Sequence, residues 1–274
     1  MADMKVKFWG VRGSIPVPGP RTTEAGGNTP CVEVVTAEHE IIIFDAGTGI
    51  RELGLSLPND NPLSIHLFFT HTHWDHIQGF PFFRPLFNPK NHVNLYGRAD
   101  VGGSLETALA GQMQYQYFPV QLPDLAAQMR FVAIEEGRTE VNERTWVWAK
   151  EFWHPGGIFS YRVERNGQSI VFATDIEVNS EDQSDALVDF SKGADLLIMD
   201  CQFTAEEYEA SRKGWGHGTP ESAAKIAKAA HVKRLAMFHH EPTHDDEFLT
   251  RMEAHTKELF PETFLARDEM EVEI

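Results

Sequence analysis

Three histidines and an aspartate fall within six consecutive residues, in the segment HTHWDH at positions 71–76. His71 and His73 are two residues apart, so in an extended segment their side chains project to the same side. Asp75 and His76 follow at once, where the chain turns after an apolar run. Four ligands this close together can face two metal ions about 3.5–4 Å apart, and imidazole with carboxylate is a ligand set typical of hydrolytic metals. The segment therefore predicts a dinuclear hydrolytic centre, with a polar loop of surface histidines as the alternative.

The spacing of the two cysteines limits which metal the chain can bind. Cys31 lies in an apolar stretch and Cys201 follows one, which is typical of small core residues. They form no metal-type pair, so histidines and carboxylates must supply the ligands. This ligand set suits zinc, with manganese or iron as alternatives, rather than an ion that prefers sulfur.

Apolar extended runs alternate with turn signals along the chain and lead into the histidine segment. The run Ser64–Thr70 predicts a strand that ends at this segment. A hairpin over residues 158–174 is predicted to turn at Asn166-Gly167, a two-residue turn signal. Strands occur in two blocks, each followed by helices, and the hairpins make the sheets mixed. This order predicts an α/β (α+β) fold, an αββα sandwich of two mixed β-sheets flanked by helices.

We interpret residues 1–274 as one domain with a partly helical insertion around residues 102–125. The helix of this insertion is predicted to stop before Pro119, because proline cannot continue a helix. Two roles are open for the aromatic side chains of the insertion, an aromatic wall for a substrate ring or a stripe that faces the core. These side chains are Tyr115, Tyr117 and Phe118.

The HTHWDH segment resembles the signature of the metallo-β-lactamase superfamily, and the resemblance extends over most of the chain. The segment FDAGTG at positions 44–49 is similar to an early strand and turn of that fold, whose aspartate, here Asp45, supports the histidine loop. Downstream, His154, Asp175 and His239 match the superfamily's third-histidine, bridging-aspartate and final-histidine positions in order and context.

This resemblance implies two divalent ions per chain, with zinc favoured over manganese or iron. His240 stays an alternative to His239, because neighbours in a strand point to opposite faces and only one of them can reach the ions. The implied ligands are His71, His73 and His154 for one ion, Asp75, His76 and His239 for the other, and Asp175 as a bridge between them.

The segment GHGT at positions 216–219 resembles an element of the phosphodiesterase branch, which holds tRNase Z and cyclic phosphodiesterases. The resemblance implies that His217 contacts the scissile phosphate and protonates the leaving group, while Asp75 and Asp175 orient the attacking water. A helix cap with an exposed histidine is the alternative. Arg12 lies in an N-terminal string that is also similar to this branch, and it either meets a phosphate or forms an ion pair with a carboxylate.

The sequence thus predicts a metal-dependent hydrolase, most readily a phosphodiesterase of a small anionic phosphodiester such as a cyclic nucleotide. A thioesterase or lactonase with the same metals, and a non-catalytic metal-binding signalling module, are the alternatives. The net charge of −17 repels polyanions, so extended nucleic acid is not an expected partner.

The sequence also carries an expectation about location. No apolar run approaches the ~18 residues that span a membrane, and the N-terminus lacks the pattern of a signal peptide. We therefore expect a soluble, cytoplasmic protein without a membrane partner. A homodimer is compatible with the sequence, which does not decide the oligomeric state.

Overall fold

The computed structural model describes residues 3–98 and 104–274. Its strands form two seven-stranded sheets, and the first has the order β14-β1-β2-β3-β4-β5-β6. The strands of this sheet are β1 (Met4–Gly10), β2 (Cys31–Thr36), β3 (Ile41–Phe44), β4 (Ser64–Phe68), β5 (His92–Arg98), β6 (Gln128–Ile134) and β14 (Glu271–Glu273). Strands β14 to β3 pair antiparallel, whereas β3 to β6 pair parallel.

The second sheet has the order β13-β12-β11-β10-β9-β8-β7 and repeats this mixture. Its strands are β7 (Gly137–Asn142), β8 (Thr145–Phe152), β9 (Ile158–Arg165), β10 (Gln168–Ala173), β11 (Leu196–Asp200), β12 (Leu235–Phe238) and β13 (Thr263–Leu265). Strands β7 to β10 pair antiparallel and β10 to β13 pair parallel. The prediction of two mixed sheets is therefore confirmed.

Alternation along the strands produces three apolar layers, one between the two sheets and one on the outer face of each sheet. Phe44 and Ile42 of β3 point between the two sheets, where they join Phe172 of β10 in a buried core. Ile41 and Ile43 point to the opposite face of the first sheet, in a second core. Successive strand residues face opposite sides, so apolar residues at every position predict a strand that is covered on both faces.

Helices cover the outer faces of the sheets, as the αββα order requires. They are α1 (Gly49–Ser56), α2 (Trp74–Ile77), α3 (Leu105–Gln112), α4 (Glu181–Ser191), α5 (Ala205–Glu207), α6 (Pro220–Ala229) and α7 (Asp246–Leu259). Short 3₁₀ turns at Phe80–Phe82, Arg84–Phe87 and Leu122–Asp124 and a π-helical turn at Tyr208–Arg212 complete the helical segments. Within the described ranges, every helix is too short or too polar to cross a membrane.

The predicted hairpin and the predicted end of the insertion helix had different outcomes. The hairpin is confirmed, with β9 and β10 paired antiparallel and positive φ angles of 47° at Asn166 and 83° at Gly167. The insertion helix ends at Gln112 rather than just before Pro119. The Gln112 side chain donates to the carbonyl of Ile77 at 2.8 Å, so a contact with another part of the chain holds the helix end.

Part of the predicted insertion, residues 102 and 103, lies outside the described residues. Its helix α3 packs against β5 and β6 at the edge of the first sheet. The division of the chain into one domain with an insertion stays a prediction.

Tyr161 joins the two sheets just below the histidine segment. Its ring is buried between Phe44 and Phe68, and its hydroxyl donates to the carbonyl of Phe69 at 2.6 Å. We expect Tyr161→Phe to lower the free energy of unfolding by about 1–3 kcal/mol, because a buried carbonyl loses its partner. Urea denaturation measures this loss. Tyr115→Phe, at a side chain that is 78% exposed, is the matched control and should change nothing.

Candidate metal centre

The parallel strands of both sheets end at one edge of the sandwich, and several of these ends carry a polar side chain. Asp45 directly follows β3, Asp175 lies two residues beyond β10, and His239 directly follows β12. The backbone at these three residues is left-handed, with φ of 63°, 55° and 60°. Non-glycine residues adopt this conformation at an energetic cost, and it concentrates at functional sites. The strand ends therefore turn sharply so that these side chains face one another.

Three histidines form the first group of potential ligands. His71 follows β4, His73 is two residues further on, and His154 follows β8. The Nδ1 of His73 and the Nε2 of His154 are 3.1 Å apart, and the ring of His71 lies 4.4 Å from that of His73 and 4.9 Å from that of His154. Nitrogens of all three rings lie within 4.8 Å of one another, which is close enough for one ion to touch them all.

Two aspartates and two histidines form the second group. His239 Nε2 lies 3.3 Å from Asp75 Oδ2 and 3.3 Å from Asp175 Oδ1. His76 Nε2 lies 3.4 Å from the Oδ2 atoms of Asp75 and Asp175. Asp175 also lies within reach of His71 of the first group. The structure thus brings all seven predicted ligands together, with Asp175 between the two groups.

The unsatisfied polar atoms of this cluster fit divalent cations. The Nε2 atoms of His71 and His76 are buried and have no hydrogen-bond partner. Burial acts to raise the pKa of the Asp175 carboxyl, but His239 and His76 outweigh it and hold that pKa well below its usual range. Burial likewise acts to lower the pKa of His239, but Asp175 and the other carboxylates raise it to about 9. A buried carboxylate stays ionised only where positive charge lies beside it, and bound cations would supply that charge here.

Asp45 orients two of the histidines so that the same nitrogen of each ring faces the centre. His76 Nδ1 donates to Asp45 Oδ2 at 2.8 Å. His71 Nδ1 lies 3.0 Å from Thr70 Oγ1, which in turn donates to the Asp45 carboxylate at 2.9 Å. A hydrogen bond at Nδ1 fixes the tautomer and leaves the Nε2 lone pair for a metal. The supporting role that the resemblance assigned to Asp45 agrees with these contacts.

The N-terminal segment covers the second group. The backbone N–H of Ser14 donates to Asp75 Oδ2 at 2.7 Å, and a Cβ on Gly13 would lie only 2.5 Å from the His239 ring. Arg12 is fully buried and donates to the carbonyls of Gly26 and His244, at 2.8 and 2.6 Å. Neither predicted role of Arg12 matches these contacts, because the guanidinium binds backbone carbonyls and holds the covering segment in place.

His217 lies beside the cluster rather than on the surface as a simple cap residue. Its ring stacks on that of His239 with 5.0 Å between centroids, and its Nδ1 donates to Asp200 Oδ2 at 2.9 Å. The cap of α6 is a separate feature, formed by the side chain of Thr219, which accepts from the N–H of Ser222 at 3.2 Å. The cap that the alternative required is therefore present at Thr219, but His217 is not exposed, and its contact with a phosphate stays a prediction.

Sequence reasoning missed Asp200. This fully buried carboxylate accepts from His217 and from the backbone N–H groups of Asp175 and Gly218, at 3.1 and 2.9 Å for the last two. One signal could have found it, because Asp200 ends the apolar strand β11, which lies between the strands that lead to Asp175 and His239.

The remaining candidate residues make no described hydrogen bond to the ligand atoms, and the described contacts of two of them are with other parts of the chain. The Nε2 of His240 donates to the carbonyl of Ala266 at 2.9 Å, so His239 is the one of the pair that faces the carboxylates. Tyr115 and Tyr117 are 78% and 72% exposed, which excludes the core-facing stripe for these two rings, while Phe118 packs edge-on against Phe82.

A recess of about 270 Å³ opens against the first histidine group. Its described lining combines His71 and His73 with hydroxyls, glycines and Arg98, and no aspartate or glutamate among the described residues belongs to it.

Comparison with known proteins gives the following likenesses. The model of the beta-lactamase superfamily domain matches residues 40–240. Ribonuclease Z of Bacillus subtilis is 21% identical over 324 aligned positions that cover 99% of each chain. Ribonuclease Z of Brevibacillus brevis is 36% identical over 106 residues, which span 37% of this chain and 31% of that relative. The crystal structure of the metallo-beta-lactamase fold protein YhfI from Bacillus subtilis superposes with a TM-score of 0.74 at 20% identity, over all of both chains.

These likenesses correct one expectation. The prediction that extended nucleic acid is an unlikely partner is wrong, because Ribonuclease Z of Bacillus subtilis, a relative that matches 99% of the chain, is a ribonuclease. The prediction used the net charge of −17, which is a sum over the whole molecule. A polymer meets only the local surface, and the acidic helix α7 packs behind the second sheet whereas the described recess lining holds no carboxylate.

Proposed function

Because the chain belongs to the beta-lactamase superfamily domain family, we propose that it is a dinuclear metal-dependent phosphodiesterase that cleaves nucleotide phosphodiester bonds. The chain is a hydrolase of this superfamily, whose fold implies divalent metal ions. One observation carries the finer proposal: a histidine outside the seven predicted ligands, His217, lies against the cluster with its ring oriented by a buried aspartate.

The two ligand groups assign the seven side chains to two ions, for which zinc is our first choice. We place one ion among the first three histidines and the second among Asp75, His76 and His239, with Asp175 shared. Support comes from the proximity of the ligand atoms within each group and from the buried nitrogens without partners. Histidine and carboxylate ligands without cysteine suit zinc, and they also accept manganese or iron.

Bound divalent ions supply a nucleophile at neutral pH and neutralise charge on the phosphoryl oxygens. The residues of the chain position the other participants. The carboxylates of Asp75 and Asp175 can accept hydrogen bonds from an attacking water. The Ser14 N–H holds Asp75 Oδ2 at 2.7 Å, which fixes the direction in which that carboxylate points.

His217 is the proposed general acid. Asp200 accepts the Nδ1 proton of its ring at 2.9 Å, so Nε2 is the nitrogen that remains to meet a substrate. A proton carried at Nε2 can pass to the leaving oxygen as the P–O bond breaks. An alkoxide leaving group needs this proton, whereas a thiolate or a nitrophenolate leaves readily without it.

The competing proposal is a carbonyl hydrolase, such as a thioesterase or lactonase, with the same ions. The two are separated by assaying metal-loaded protein against a cyclic nucleotide, a short RNA, an acyl thioester and a lactone under identical conditions. We expect hydrolysis of the phosphodiesters. Hydrolysis confined to the thioester or lactone would reject the phosphodiesterase proposal.

The ligand assignment predicts about two ions per chain after reconstitution. Elemental analysis of purified protein measures this ratio. We expect His154→Ala and His239→Ala each to retain about one ion, because each removes a ligand from a different group. Saturation of the unaltered protein at a single ion would contradict the assignment.

A further inference from the structure

We propose that Glu177 is a positioning residue, which locks the loop 213–218 and thereby fixes both His154 and His217 at the metal centre. This inference rests on the proposed function for its kinetic consequences. Its structural consequences can be measured without any substrate.

Glu177 lies two residues beyond Asp175 and is 2% exposed. Its Oε1 accepts from the hydroxyl of Tyr208 and from the N–H of Gly214, both at 2.8 Å. Its Oε2 accepts from the N–H of Gly216 at 2.8 Å. The buried carboxylate is thus satisfied by three neutral donors, two of which belong to the backbone of one loop. Such charge-assisted hydrogen bonds are stronger than neutral ones.

The backbone conformation of the loop favours glycine at both positions that bond to Glu177. Gly214 and Gly216 have φ of 81° and 90°, a conformation that other residues rarely adopt. A Cβ on Gly216 would also lie only 2.2 Å from His154 Nδ1. The loop backbone is therefore pressed directly against one of the predicted ligands, with its N–H groups turned toward Glu177.

Two consecutive residues of this loop, Gly216 and His217, contact groups of the metal centre. On one side, the carbonyl of Gly216 accepts from His154 Nδ1 at 3.1 Å, which leaves the Nε2 of that ring for an ion. On the other side, the next residue is His217, whose ring is held by Asp200. Asp200 fixes the ring of His217, but Glu177 fixes the backbone from which that ring extends. Loss of the Glu177 contacts should therefore displace two groups of the centre together.

Glu177→Gln tests this role with little change in size. Glutamine has one acceptor oxygen, and its amide NH₂ would face an N–H group of the loop. We expect kcat to fall by about 10–100-fold, the scale that a displacement of about 1 Å can cause. If His217 is displaced, the loss should be larger for a cyclic nucleotide than for bis(p-nitrophenyl) phosphate, whose leaving group needs little protonation. A residue that only stabilises the fold would slow both substrates equally.

Two measurements on Glu177→Gln require no activity. Trypsin should cut after Arg212 or Lys213 about tenfold faster than in the unaltered protein, because the adjacent loop opens more often. Zinc titration should show weaker binding of one ion of the pair, since the His154 ring loses its fixed orientation.

Two variants serve as controls. Glu209→Gln alters an exposed carboxylate on the neighbouring turn, which pairs with Lys213 at 2.6 Å. Tyr208→Phe removes one donor to Glu177 and leaves both loop N–H bonds in place. Both should resemble the unaltered protein in trypsin cleavage rate and in zinc binding.

The outcomes separate this inference from the proposed function. If Glu177→Gln matches Glu209→Gln in trypsin cleavage and zinc binding, the positioning role is overturned. If the unaltered protein hydrolyses no phosphodiester, the proposed function fails, and the cleavage and titration results still decide the role of Glu177.

Discussion

We expect Asp175→Ala to lower turnover by roughly 10³-fold or more, because loss of several kcal/mol of transition-state stabilisation costs a factor of ten for each ~1.4 kcal/mol. Asp175 is the carboxylate between the two ligand groups, 3.3 Å from His239 and 3.4 Å from His76. A carboxylate shared by two cations screens their mutual repulsion. The variant should therefore also release at least one ion, which elemental analysis detects alongside the kinetic assay.

The control for this variant is His92→Ala. His92 is an exposed histidine at the start of β5, and it pairs with Ser64 at the start of β4, so it lies at the opposite end of these strands from the cluster. Its loss should leave both the rate and the metal content unchanged. Near-normal turnover of Asp175→Ala with two ions still bound would exclude the dinuclear arrangement.

The second large effect is expected at His217, and its size should depend on the leaving group. His217→Ala should leave both ions bound, because its ring is not among the seven predicted ligands and its Nδ1 is engaged by Asp200. Its loss as a general acid should reduce kcat for a cyclic nucleotide by roughly 10²–10⁴-fold. The reduction should be much smaller for bis(p-nitrophenyl) phosphate, because a nitrophenolate leaves with little protonation. Parallel kinetic assays of the two substrates measure the difference.

Thr219→Ala is the matched control for His217→Ala, because it removes the cap of α6 and leaves the His217 ring intact. We expect it to lower stability by about 1 kcal/mol and to show no dependence on the leaving group. If His217→Ala slowed both substrates to the same extent, His217 would not be the general acid, and the main argument for phosphodiesters would be lost.

Local patterns determined most of the fold and much of the centre. The HTHWDH segment carries four of the seven predicted ligands within six residues, so no long-range contact was needed to bring them near one another. The Asn166-Gly167 turn and the alternating apolar runs also act over a few residues, and they predicted the β9–β10 hairpin and the mixed sheets. The superfamily was likewise evident from motifs in the sequence, and the match over residues 40–240 confirms it.

Tertiary contacts decided what these patterns left open. The choice between His239 and His240 depends on a left-handed backbone at the end of β12, which turns one ring to Asp75 and the other to Ala266. The helix α3 ends at Gln112, whose side chain donates to the carbonyl of Ile77 in another part of the chain. Neither effect has a local sequence signature, since the partner in each case is brought near only by folding.

The sequence by itself therefore determined the two-sheet fold and predicted the ligand types, through the periodicity of the strands, the spacing of the histidine segment and the resemblance to the superfamily. The resemblance had already indicated Asp45 as a support of the histidine loop, but only the tertiary structure revealed the other carboxylates that orient side chains of the centre. Asp200 and Glu177 occur in ordinary strand and loop contexts, and they become important because parallel strand ends and a glycine loop meet around them. The prediction about nucleic acid, which used the net charge, failed for the same reason. Net charge is a sum over the whole surface, whereas long-range packing decides which charges lie beside the centre.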